Sequence, residues 1–148
     1  MGRGFCGIGI YNCLKEQNIG TLFRSAHCPG AQFIYTIGRK YDRQASDTTK
    51  AWKNIPLFHY PTMDEFNQSL PYGAKLVGVE LDDRSTPLDA YVHPEKAVYL
   101  LGSERMGLNQ RDRDRCQDIV EVPGASYCLN VSTAGSIVLW HRKMQFGI

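Results

Sequence analysis

Three separated segments carry residue types at spacings that could do chemistry. In Asn18-Ile19-Gly20-Thr21-Leu22-Phe23-Arg24-Ser25-Ala26, Gly20 and Arg24 lie four apart, on one face of a helix. A small Gly20 would leave room for a bulky group beside the Arg24 guanidinium. In Gly102-Ser103-Glu104-Arg105-Met106-Gly107-Leu108, two glycines bracket an acidic residue directly after an apolar run. Such a turn lets backbone approach a ligand closely. In Val122-Pro123-Gly124-Ala125-Ser126-Tyr127-Cys128-Leu129-Asn130-Val131-Ser132, an irregular loop offers free backbone N–H and C=O groups that could pair with a planar heterocycle. Each segment alone also reads as ordinary structure: a solvated arginine on an amphipathic helix, a plain strand-to-helix turn, and a capped loop.

Other patterns lead nowhere. Gly2-Arg3-Gly4-Phe5-Cys6-Gly7 spells a dinucleotide fingerprint, but that motif needs a strand before it and a helix after it. Here nothing precedes it and a strand follows, which argues against a dinucleotide oxidoreductase. Five cysteines, an odd number with no Cys-x-x-Cys pair, argue against a disulfide framework or a zinc site. His27 and Cys28 lack a second ligand pair, so no metal is expected.

The elements that must position these segments alternate. Phe5–Tyr11 reads as a strand. Asn18 is placed to cap a helix running to about His27, which Cys28-Pro29-Gly30 stops. Strands are expected at Gln32–Ile37, Leu57–Tyr60, Lys75–Leu81, Ala97–Leu101 and Asp118–Val122. Thr62, with Glu65 three residues on, signals a helix to about Leu70. Asn109 caps a short helix to about Cys116, and Asn130 to about Met144 reads as the last helix. The stretch Arg39–Lys53 is polar and undecided, and its Arg39, Lys40, Arg43, Lys50 and Lys53 are candidates for contact with a polyanion. This βα alternation implies an α/β domain with a mostly parallel sheet.

The chain has 148 residues, 43% of them hydrophobic, which suits one domain over 1–148 with a real core and no appended RNA-binding domain. No apolar run approaches the ~20 residues of a membrane span. The N-terminus lacks the apolar core of a signal peptide, so a cytoplasmic protein is expected. A net charge of +2 permits a polyanionic partner without demanding one.

Taken together and in order, the three segments resemble the three motifs of the SpoU class of SPOUT RNA 2′-O-ribose methyltransferases. Asn-x-Gly-x-x-x-Arg-x-Ala is matched at Asn18, Gly20, Arg24 and Ala26. Gly-x-Glu-x-x-Gly-Leu is matched at Gly102, Glu104, Gly107 and Leu108. Ser-Leu-Asn-x-Ser appears as Cys128-Leu129-Asn130-Val131-Ser132, with Cys128 in the place of the usual serine. The resemblance implies a parallel sheet flanked by helices with a deep C-terminal trefoil knot. It implies S-adenosylmethionine as cofactor, held by Val79, Gly102, Val122, Pro123, Cys128 and Leu129. It implies methyl transfer to a ribose 2′-hydroxyl, with Arg24, Asn18, Glu104 and Asn130 as the catalytic set, with Glu104 fixing the loop of the second motif and open to a reach across the dimer, and with the active site at the interface of a homodimer. The implied partner is RNA, with transfer RNA preferred over ribosomal RNA. The competing reading is a knotted dimer that binds RNA or the methyl donor without turnover.

Overall fold

The computed structural model describes residues 4–27, 29–40, 55–124 and 129–147. Among them are seven strands: β1 (Phe5–Tyr11), β2 (Phe33–Ile37), β3 (Leu57–Tyr60), β4 (Lys75–Val79), β5 (Thr86–Pro87), β6 (Lys96–Leu101) and β7 (Asp118–Glu121). The helices are α1 (Glu16–His27), α2 (Met63–Gln68), α3 (Gln110–Asp114) and α4 (Val131–Phe146). The strands form one sheet in the order β3-β2-β1-β6-β4-β7-β5, and every pairing is parallel.

A parallel sheet covered on both faces needs strands that are apolar throughout. β6 shows how this works. Ala97, Tyr99 and Leu101 join the core under α1 and α4, while Val98 and Leu100 face the other way, towards Met63 and Phe66 of α2. Cys6, Ile8 and Ile10 of β1 pack beneath Leu22, Phe23, Val138 and Leu139. Arg142, buried on α4, donates to the carbonyls of Phe5, Pro94 and Glu95, which ties the last helix to the start of the sheet.

Most element positions agree with the sequence within one or two residues. The expected caps Thr62, Asn109 and Asn130 all accept a backbone N–H from their helices. Two features differ. The short β5 and the 3₁₀ turn Leu88–Ala90 were not expected; two residues of strand leave no periodicity to read. Asn18 does not cap α1, which begins at Glu16. Its side chain is committed to a distant carboxylate, so a tertiary contact overrides the local capping preference. Most of the undecided stretch after β2, including Arg43, Lys50 and Lys53, lies outside the described residues.

Candidate active site

The carboxyl ends of β1, β4, β6 and β7 meet at one edge of the sheet, and the loops leaving them build the site. β1 ends in a turn at Asn12 (φ 51°), a residue that tolerates the left-handed region. The Asn12 N–H donates to the Ile37 carbonyl, which pins the turn to the end of β2.

The next residues wrap around the Glu104 carboxylate. Its Oε1 accepts from Cys13 Sγ at 3.0 Å, Asn18 Nδ2 at 2.7 Å and the Lys15 N–H at 3.4 Å. Its Oε2 accepts from the Leu14 N–H at 2.8 Å. Burial works to raise this carboxyl, but the donors from Asn18, Cys13 and Leu14 outweigh it and hold it at about 2. Glu104 is therefore an anion at neutral pH. The Cys13 thiol is pushed up to about 12 by burial and by the carboxylate it faces, so it stays protonated and donates. Within its own chain the carboxylate takes three donors from the β1–α1 turn and one from Asn18 of α1, which fixes the turn after β6 against the start of α1.

From Asn18 the network continues into the third segment. Asn18 Oδ1 accepts from Asn130 Nδ2 at 2.9 Å. Asn130 Oδ1 in turn accepts from Ser132 Oγ at 2.6 Å and from the Thr133 N–H at 3.1 Å, which caps α4. One hydrogen-bonded chain, Glu104–Asn18–Asn130–Ser132, thus joins segments that are 86 and 112 residues apart in sequence at its two long-range steps. Each amide uses both its donor and its acceptor, which fixes its orientation.

Beside this chain lies a cavity of about 220 Å³. Apolar walls come from Val79, Leu101, Val122, Leu129, Val131 and Ala134, with Glu80, Glu104 and Glu121 also lining it. Its floor is the turn after β6, closed by Gly107 N–H to Ser103 O at 2.9 Å and by Met106 N–H to Ser103 Oγ at 3.1 Å. Both glycines are required there. A Cβ on Gly102 would come within 2.2 Å of the Gly107 carbonyl carbon, and Gly107 has φ +61°. Glu80 locks the turn from the end of β4, accepting from the Leu108 N–H at 2.8 Å and the Leu81 N–H at 3.0 Å.

Of the residues expected to hold a cofactor, Val79, Gly102, Val122 and Leu129 line this cavity. Pro123 lies in an adjoining groove between α1 and α4, which shares Val122 with the cavity. Cys128 lies outside the described residues. Of the expected catalytic set, Asn18, Glu104 and Asn130 come together. Arg24 does not join them. It is exposed on α1 and lines neither space. Gly20 is buried, so it does not open a recess beside the guanidinium as its spacing suggested. Cys13 and Glu80 were missed by sequence reasoning. A carboxylate at the end of a strand was the available hint for Glu80, while nothing local marks Cys13. Among the described residues no cluster of side chains could hold a metal ion.

An open parallel sheet with a cavity outside the carboxyl ends of its strands defines a ligand-binding α/β domain. Residues 7–140 match the model of the SpoU rRNA Methylase family, and the chain belongs to that family. The chain is 28% identical over 141 residues to tRNA (guanosine(18)-2′-O)-methyltransferase TARBP1 of Mus musculus, an alignment that covers 88% of this chain and 9% of the mouse protein. It thus spans under a tenth of that relative's length. The SpoU methyltransferase AviRb from Streptomyces viridochromogenes, in complex with AdoMet, superposes with a TM-score of 0.86 at 22% identity, over 97% of this chain and 58% of that one. A structure described as giving insight into 2-OH methylation of C/U34 on tRNA superposes with a TM-score of 0.82 at 19% identity, over 99% of both chains. At these identities the structures establish a shared fold.

Proposed function

We propose that the protein is an S-adenosylmethionine-dependent methyltransferase that modifies a ribose 2′-hydroxyl of transfer RNA. The observation that carries this reading is the Glu104–Asn18–Asn130–Ser132 chain, which locks the three motif segments together at the mouth of one cavity. The family match and the names of the similar proteins agree with it.

The cavity suits the donor. Its apolar walls and the turn at Gly102 accept a flat heterocycle, and the carboxylates around it favour a sulfonium cation. Val79, Gly102, Val122 and Leu129 would hold the donor, with Pro123 and Cys128 completing the set. Bound there, S-adenosylmethionine supplies a methyl group made electrophilic by its sulfonium. The 2′-hydroxyl oxygen forms the new bond to carbon as the carbon–sulfur bond breaks, the thioether leaves, and the hydroxyl proton passes to a phosphate oxygen or to water. Glu104, Asn18 and Asn130 keep the turn, helix and loop in register. Arg24 binds and orients the nucleotide. A guanidinium keeps its proton throughout the physiological range, which favours orientation over proton abstraction.

The reading includes the family's C-terminal trefoil knot, for which the insertion of the late strand β7 between β4 and β5 is the supporting observation. It also includes a homodimer. Arg24 lies outside its own chain's cavity, and Ile137, Trp140 and Met144 expose an apolar strip of α4 along the α1–α4 groove. A partner seated on that strip would complete the site. Among the described residues no helix is long and apolar enough to cross a membrane, and a cytoplasmic location belongs to the same reading.

Titration calorimetry with S-adenosylmethionine tests donor binding. Transfer of a tritiated methyl group to bulk tRNA and rRNA from cells lacking the gene tests turnover and substrate. A ribose product protects its 3′ phosphodiester from alkali; label recovered on alkali-sensitive nucleotides would overturn the ribose assignment. Arg24→Ala should abolish transfer and leave donor affinity unchanged, and retained turnover would remove Arg24 from its role. Donor binding without transfer to any RNA would favour the silent dimer.

A further inference from the structure

Around α3 and the β4–β5 connection three of the cations are paired: Arg84 with Asp82 and Asp114, Arg113 with Asp82, and Arg115 with Asp64. Lys75, at the amino end of β4, pairs with Asp118. The carboxyl edge of β1 and β2 differs. Lys15, Arg39, Lys40 and Arg105 are all exposed there, and none forms an ion pair among the described residues.

These four cations are held near one another by backbone. The Leu14 N–H and the Lys15 N–H both donate to Glu104, the immediate neighbour of Arg105. Arg39 Nη1 donates to the Leu14 carbonyl at 3.1 Å, which brings Arg39 and the adjacent Lys40 against the same turn. Among the described residues the guanidinium of Arg39 is anchored through one nitrogen, and it carries further N–H donors that could meet a ligand. The carboxylates nearest in sequence are Glu16, Asp42 and Glu104, of which Asp42 lies outside the described residues; four cations against three carboxylates leave the edge formally +1.

We propose that Lys15, Arg39, Lys40 and Arg105 form a phosphate-binding edge that holds the RNA backbone beside the donor cavity, an inference that rests on the RNA methyltransferase reading. Arg105 borders the cavity, and Lys15, Arg39 and Lys40 extend away from it over the ends of β1 and β2. A phosphate–ribose strand laid along them would run into the site, with phosphates read as charge and no base contact required. The weak overall charge of the chain is no obstacle, because backbone contacts gather these four cations at one edge of the sheet.

The test is the salt dependence of binding to fluorescein-labelled bulk tRNA. Each lost phosphate contact should lower the slope of log affinity against log salt by about 1. The Lys15→Gln/Lys40→Gln variant removes side chains that form no ion pair among the described residues, and should lower the slope by about 2 with S-adenosylmethionine affinity unchanged. Adding Arg39→Gln should lower it further. Arg111→Gln on α3 should leave it unchanged. If the unaltered chain binds tRNA and the double variant keeps the same slope and affinity, the phosphate edge is wrong and the RNA reading stands. An equal loss in Arg111→Gln would also overturn the edge, by showing diffuse attraction. Failure of the unaltered chain to bind tRNA would overturn the RNA reading and the edge with it.

Discussion

Glu104→Gln separates the charge of the Glu104 carboxylate from its shape. Three donors from the β1–α1 turn and one from Asn18 of α1 converge on it and hold its carboxyl at about 2, against an ordinary value of 4.5. At ~1.36 kcal/mol per pH unit that difference would be worth about 3 kcal/mol, and solvent screening at a partly exposed carboxylate reduces it to about 1–2 kcal/mol. Glutamine keeps the volume but turns an NH₂ group towards one set of donors. The folded-state value is depressed, so the stabilisation is full above about 4.5 and is lost as pH falls towards about 2. Urea unfolding of both proteins at pH 7 and pH 3 measures this. The variant should be less stable by about 1–2 kcal/mol at pH 7, and the gap should narrow at pH 3. Taking the difference between the proteins cancels the acid loss from other depressed carboxylates, such as Asp64, Asp82 and Asp114. Equal stability at pH 7, or a gap independent of pH, would show that the network is held by shape and not by charge.

Three further outcomes follow from the packing. Gly102→Ala drives a Cβ into the Gly107 and Leu108 backbone, so calorimetry should show S-adenosylmethionine affinity reduced by more than tenfold in a chain that still folds. Gly135→Ala puts a methyl group 2.8 Å from Leu22 Cδ1 and 3.0 Å from Leu101 Cδ1; overpacking at the α1–α4 contact should cost about 1–3 kcal/mol, less ~1 kcal/mol of helix propensity regained, read by denaturant midpoint. If the chain forms the proposed homodimer through the exposed strip of α4, Trp140→Glu should shift sedimentation from dimer to monomer and abolish methyl transfer; an unchanged mass would exclude this face as the interface.

The sequence carried whatever has a short-range signature. Apolar runs bounded by glycine and proline located the strands, because a buried parallel strand must be apolar on both faces. The caps Thr62, Asn109 and Asn130 were legible because a cap bonds to a backbone group three residues away. The segments around Gly102 and Val122 were visible as loops that must lie at strand ends, and most of the residues named from them line one cavity.

What the sequence did not determine is which groups meet. Asn18 has the local chemistry of a helix cap, but folding delivers Glu104 from another strand end, and the stronger charged acceptor claims it. Cys13 becomes part of the site only because β1 ends beside the turn after β6, and Glu80 because β4 ends beside Leu108. The same holds for the basic edge: Lys15, Arg39 and Arg105 are scattered in sequence and share a surface only once β1, β2 and β6 lie side by side. Local propensity depends on neighbours within a few residues. A hydrogen-bond chain linking residues 18, 104 and 130 depends on strand order, and only the tertiary structure decides that.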